Sequence, residues 1–334
     1  MNIKNIFFAA AAAMALTACS SDDEQSFVSQ FPEDGVMRFT TNLVDPTAVT
    51  TRASITGNDV NQNGQQFQVK IVNPTSAQYS YFNTVQYDGT EWASYTRMLW
   101  QNDQQSITVT AAYKQGKTFS DYDFIVGANL TVAADQSTEA KLKQQDLLTM
   151  PTKTIANPSI EETLMQNGKL VINFYHALTK LDVTLDLNDE FYPANIQASD
   201  ITEFTIKGTN AGYQFKAMET ANENYGTVTV TASTAADILA NQYNFTAGTA
   251  KSKHSTAKYE AIIVPQTIAA GQLTVSFKIG NRSFSWTNTQ AYTLEQGKQY
   301  TLPLTVGNDG VTAGSRAFTV SSWEDQPGDN LGTE

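Results

Sequence analysis

The one cysteine of this 334-residue chain, Cys19, directly follows Leu16-Thr17-Ala18 at the end of a short apolar run. Lys4 precedes that run, and Ile6 to Ala15 are almost all alanine, phenylalanine and methionine. A basic residue followed by so short an apolar stretch reads as a secretory leader rather than a spanning helix. Thr17 and Ala18 are small enough for a signal-peptidase pocket. The Leu-Thr-Ala-Cys pattern resembles a bacterial lipobox, in which the thiol takes a diacylglycerol and its residue becomes the mature N-terminus. A multiply acylated terminus is a firm anchor, because each buried methylene contributes about 0.8 kcal/mol.

Other catalytic chemistry has little to work with. There are two histidines, His176 and His254, and no phosphate-binding glycine loop, nucleophile elbow or HExxH run. With Cys19 acylated, the folded part holds no thiol for a disulfide, a nucleophile or a thiolate metal site. His176 reads as a structural residue at a strand bend, and His254 lies in the basic loop Lys251-Ser-Lys-His-Ser-Thr256. No catalytic residue, metal ligand or cofactor is therefore assigned. A carboxylate-pair hydrolase stays as a third reading, although no spacing among the 33 acidic residues stands out. The net charge of −12 argues against nucleic acid and anionic lipid surfaces, so the membrane is met only through the lipid anchor.

Period-two alternation dominates the rest of the chain. Gly226 to Ala232, Leu273 to Ile279, Ser106 to Ala111, Phe67 to Ile71 and Tyr300 to Val306 each carry one apolar and one polar face. Gly280-Asn281 between two such runs is a two-residue hairpin signal. Leu170 to Leu187 reads as one long bent strand or as two strands broken near His176. Helix signals are few: the best is Ser137 to Leu148, and Asp200-Ile201 and Ala235 to Leu239 could form single turns. The expected fold is all-β, with packed antiparallel β-sandwich sheets and a minor helical insertion. The expected division is a lipoprotein signal peptide at 1–18, an acidic flexible tether at 19–35, an N-terminal β-sandwich domain at 36–190 and a C-terminal one at 191–334.

Several segments in order along the chain resemble the fimbrillin family, the lipoprotein-derived subunits of type V pili. They are Cys19-Ser20-Ser21-Asp22-Asp23-Glu24, Gln145 to Leu148, and Phe174 to Leu181. Ala261 to Thr267, Leu294 to Tyr300 and the terminal Phe318 to Trp323 complete the set. The Trp-x-x-Gly-Asp segment often seen in the family is absent, replaced by Gly57-Asn-Asp-Val-Asn-Gln-Asn-Gly64. The resemblance implies two tandem transthyretin-like sandwiches and a surface-exposed outer-membrane lipoprotein. Its role would be that of a structural or accessory (stalk or tip) subunit of a cell-surface fimbria, contributing to adhesion.

It further implies assembly by protease-triggered donor-strand exchange. The partners would be other fimbrial subunits and an arginine-specific maturation protease, and Arg52 is the matching processing site. The released strand would present Met37, Phe39 and Leu43 on one face, and the donor strand would carry Phe318, Val320 and Trp323. Losing a strand leaves unpaired backbone and an apolar trough, a surface that favours pairing with another chain. The alternative is a monomeric surface lipoprotein that binds a host protein or glycan, with Trp92, Trp100, Trp286 and tyrosines stacking on sugar faces.

Overall fold

The computed structural model describes residues 29, 31–44, 55–218, 226–231, 235–314 and 318–323. The first sheet is built from β1 (Phe39–Leu43), β2 (Gln66–Val72), β3 (Tyr81–Tyr87), β4 (Trp92–Ser94) and β5 (Ile107–Lys114). After β6 (Ala128–Thr131), which belongs elsewhere, β7 (Leu147–Ile155), β8 (Met165–Gln166) and β9 (Lys169–His176) complete it. Strand order is β1-β4-β3-β2-β5-β7-β9-β8, and β1 also pairs with β9, so the strands close into a ring. Alternation supplies the core: Phe67, Val69 and Ile71 of β2 are fully buried. Phe67 makes aromatic contacts with Phe39, Trp92 and Phe174 at 6.1, 4.8 and 5.6 Å.

The second half begins with β10 (Thr179–Leu187), β11 (Ile201–Asn210), β12 (Gly212–Lys216), β13 (Thr227–Val230) and β14 (Ala235–Leu239). It continues with β15 (Asn241–Thr246), β16 (Ser255–Ile263), β17 (Gln266–Ile268), β18 (Thr274–Ile279) and β19 (Arg282–Thr287). It ends with β20 (Tyr292–Leu294), β21 (Lys298–Gly307), β22 (Gly310–Ala313) and β23 (Thr319–Ser322). A sheet ordered β15-β16-β10-β21-β22, with β23 beside β22 on the same edge of β21, faces a four-stranded sheet ordered β14-β11-β18-β19. The β18–β19 hairpin turns through Gly280-Asn281, with Ile279 opposite Arg282 and Gly280 at φ +56, a backbone region open to glycine.

The structure departs from the alternation-based reading at several points. Two pairings are parallel, β1 with β9 and β10 with β21. The expected helix over Ser137 to Leu148 shrinks to α2 (Glu139–Lys143), which is preceded by α1 (Gly57–Val60). Leu147 packs into the second core and Leu148 into the first, a placement of adjacent residues that only a strand between two cores can provide. Ala235 to Leu239 is a strand rather than a turn, because its pairing with β11 buries Ile238.

Asp200 does close a short 3₁₀ turn at Ala198–Asp200, but Ile201 already begins β11. The run from Leu170 resolves into two strands. All of β10 is hydrogen-bonded in the second half's sheet, so the sheets change at Ala177 and Leu178, ahead of the expected 190/191 division. Phe119, Phe124, Ala128 and Leu142 also pack into the second core, and β6 pairs with β12.

β10 carries a buried ion pair, Lys180 Nζ to Glu260 Oε2 at 2.6 Å, with both side chains almost wholly excluded from solvent. Asn241 donates to the other Glu260 oxygen at 3.1 Å. Buried pairs add little net stability over an apolar replacement, but a lone buried charge is costly. Lys180→Met is therefore expected to cost about 3–5 kcal/mol in urea unfolding, and adding Glu260→Leu to recover most of that loss.

Candidate functional site

The residues that the sequence marks for strand exchange sit at the two ends of the described chain. On the N-terminal side, Met37 and Phe39 are 4% and 1% exposed and Leu43 packs against the same core. β1 lies parallel to β9 through Phe39↔Leu170 to Leu43↔Phe174, and touches β4 at Phe39↔Trp92. Leu170 N–H donates to Arg38 O at 2.7 Å and Val44 N–H to Phe174 O at 2.9 Å. Just ahead of the strand, Met37 N–H donates to Met98 O and Trp100 N–H to Gly35 O, at 3.0 and 2.9 Å. β1 thus has strand partners on both sides, β4 and β9. Cys19 and Arg52 lie outside the described residues.

On the C-terminal side, β23 runs antiparallel to β21 through Lys298↔Ser322, Gln299↔Ser321, Tyr300↔Val320 and Thr301↔Thr319. Its apolar residues fare unequally. Phe318 packs edge-on against Tyr292 at 4.4 Å and nears Trp286 and Tyr300. Val320, however, is 56% exposed. Trp323 is 4% exposed, and its N–H donates to Gly297 O at 2.9 Å. Gly297, at φ +63, donates in turn to Leu178 O at 2.9 Å.

The Trp323 indole lies flat on the His176 imidazole, with centroids 4.4 Å apart and planes at 8°. His176 Nδ1 faces both carboxylate oxygens of Asp146, at 2.9 and 3.1 Å, and the carboxylate assigns the proton to that nitrogen. Asp146 is completely buried, and its own N–H donates to Lys143 O at 3.2 Å. Segments around 146, 176, 297 and 323, which the resemblance singles out separately in the sequence, therefore meet at one point.

Asp146 also acts on its surroundings. Burial pushes the Lys114 ammonium down to about 8, with the Asp146 charge partly opposing the shift. Lys114 Nζ donates to Gln144 O at 2.6 Å. The Tyr113 and Tyr213 hydroxyls are pushed up, mainly by burial and further by Asp146. Sequence reasoning missed Lys114, since a lysine closing an alternating strand looks like an exposed end, and it placed Asp146 in a motif without giving it a role.

The remaining candidates divide simply. Trp92, Trp100 and Trp286 are 5%, 5% and 9% exposed, so none offers a face for a sugar to stack on. The indole N–H of Trp92 donates to Asn61 Oδ1 at 2.9 Å within the first half. His254 pairs at the surface with Asp186 at 2.8 Å. Among the described residues no cluster of three or more His, Cys, Asp or Glu could hold a metal ion, and no helix is long and apolar enough to cross a membrane.

The described chain is thus two β-rich halves, the first with β1 and the second with β23 as its terminal strand. The sequence profile of the fimbrillin-like family matches residues 51–323, and the chain belongs to that family. The chain is similar in fold to a candidate cell adhesion protein of Bacteroides uniformis, at 16% identity and TM-score 0.55, covering 87% of this chain and 99% of that one. A Bacteroides ovatus candidate cell adhesion protein is alike at 14% identity and TM-score 0.57, covering 87% and 98%. No curated protein sequence matches the chain at a significant level. The chain is mostly β and non-enzymatic.

Lys114 gives the site a pH signature. Its folded value of about 8 lies below the ordinary 10.5, so the unfolded chain binds the proton more tightly. Stability should then rise with pH from about 8 towards 9.5, by up to ~1.4 kcal/mol per pH unit. Above about pH 10 the buried tyrosines reverse the trend, because the unfolded chain loses their protons first. Urea unfolding between pH 7 and 9.5 should show the rise, and Lys114→Met should flatten it.

Proposed function

We propose that this chain is a structural or accessory (stalk or tip) subunit of a cell-surface fimbria, assembled by protease-triggered donor-strand exchange and contributing to adhesion. The observation that carries the reading is the removable first strand. β1 fills a gap between β4 and β9, inserts Met37 and Phe39 into the first core, and is followed by Arg52 at the matching processing position. Cleavage there would leave β1 held only by its ladder and its apolar side chains. Its departure would open the β9 edge at residues 170–174 together with the trough that Met37 and Phe39 fill.

The tail is the matching donor. Val320 is more than half exposed on its own sheet, and full burial of a valine stabilises by about 1.5–3 kcal/mol. A neighbour's groove that buries Phe318 and Val320 together would therefore hold the tail better than its own β21 edge does. Cys19, as an acylated terminus, would tether the subunit at the outer membrane before processing, and its partners would be other fimbrial subunits and an arginine-specific protease. The glycan-binding alternative has lost its three tryptophans to the core and keeps only exposed tyrosines such as Tyr95 and Tyr122.

Arginine-specific proteolysis of the chain from Ser20 onward should give a new N-terminus at Ala53 and concentration-dependent ladders on size-exclusion chromatography. A cleaved product that stays monomeric at every concentration would overturn the reading. Val320→Asp should shift monomer stability by no more than about 0.5 kcal/mol, as for other exposed positions. The same variant should abolish the ladders.

A further inference from the structure

In the single chain the proposed donor tail is already seated, and the geometry points to what holds it. We infer that the His176–Asp146 pair is a receptor for Trp323, a latch that keeps the C-terminal strand on its own sheet until assembly takes it up. The inference rests on the reading of the tail as donor, but the latch itself is a property of the isolated subunit.

β23 alone is a poor fastener. It makes four register pairs with one edge of β21 and leaves Val320 largely in solvent. So short an edge strand has little independent stability, so its hold must come from the side chains at its ends. Phe318 packs at one end against Tyr292 and Trp323 at the other against His176. Of the two, only Trp323 is almost wholly removed from solvent.

The contacts that hold the receptor together do not involve the tail. The His176 ring is fixed by both oxygens of a buried carboxylate, at the point where β9 gives way to β10. Asp146 is fixed in turn by the turn after α2, through its N–H to Lys143 O. Gly297 supplies the backbone acceptor for Trp323 N–H while donating to Leu178. Among the described residues Trp323 Nε1 has no hydrogen-bond acceptor, so the indole is held by flat stacking and burial rather than by a polar tie. Lifting the indole breaks no side-chain hydrogen bond, so the backbone bond from Trp323 N–H to Gly297 O is the one polar tie at this end of the tail.

Amide exchange read by mass spectrometry on the purified chain tests the latch. In Trp323→Ala, amides of Lys298–Thr301 and Thr319–Ser322 should exchange about tenfold faster or more, while those of Ile107–Lys114 stay as protected as before. His176→Gln, which removes the ring face but keeps a hydrogen-bonding group for Asp146, should accelerate the same amides. Trp323→Phe should fall between, and it decides the matter if Trp323→Ala loosens the whole chain. Unchanged exchange at Lys298–Thr301 in Trp323→Ala, or acceleration spread evenly to Ile107–Lys114 in Trp323→Phe, would overturn the latch. Assembly after arginine-directed cleavage is scored in parallel. A freed tail that never assembles sinks the donor reading and leaves the latch, whereas assembly with unchanged exchange in Trp323→Ala does the reverse.

Discussion

The pairing of β1 with β9 is the constraint on which the first half depends. Residues Phe39 to Leu43 supply the strand that turns an open run of sheet into a closed ring, and Phe39 touches both neighbours of the gap, Leu170 and Trp92. Phe39 also meets Phe67, which in turn meets Trp92 and Phe174, so one side chain of β1 anchors the aromatic centre of the first core. Burial of two such side chains, Met37 and Phe39, stabilises by roughly 3–6 kcal/mol before any ladder bond is counted. A cut backbone would therefore not by itself empty the gap. In the proposed exchange, the incoming strand would have to fit at least as well.

The second half repeats the theme with less commitment. β22 and β23 lie along the same edge of β21, against Leu304–Gly307 and Lys298–Thr301 respectively, and Pro303, which has no N–H to give, falls between the two paired stretches. The edge is covered, but by short pieces, one of which leaves Val320 in water. A deeply plugged first strand and a last strand held mainly at its ends are the two features that the proposed strand exchange would use.

Much of this was legible in the residues. The alternating runs became β2, β5, β13, β18 and β21, and Gly280-Asn281 became the β18–β19 turn, because period-two burial and turn chemistry are local properties. Parallel pairing was not legible, since alternation is the same whichever way the neighbour runs. Nor was the division between cores. Leu147 and Leu148 look like one helical face until β7 is seen to separate two interiors. The stack of Trp323 on His176 joins distant segments, and only their separate recurrence as motifs hinted that they belong together. Trp92, Trp100 and Trp286 are core, as aromatics in alternating strands more often are than not.

The proposed assembly requires the tail to leave its own sheet and join a neighbour. Thr301 and Thr319 face each other across β21 and β23, and Cys19 is the chain's only native thiol. Thr301→Cys with Thr319→Cys, in a chain beginning at Ser20, would lock the tail by one reversible disulfide. After cleavage at arginine, the account predicts monomers while the disulfide holds and ladders once it is reduced. Ladders that form equally well with the tail locked would contradict it.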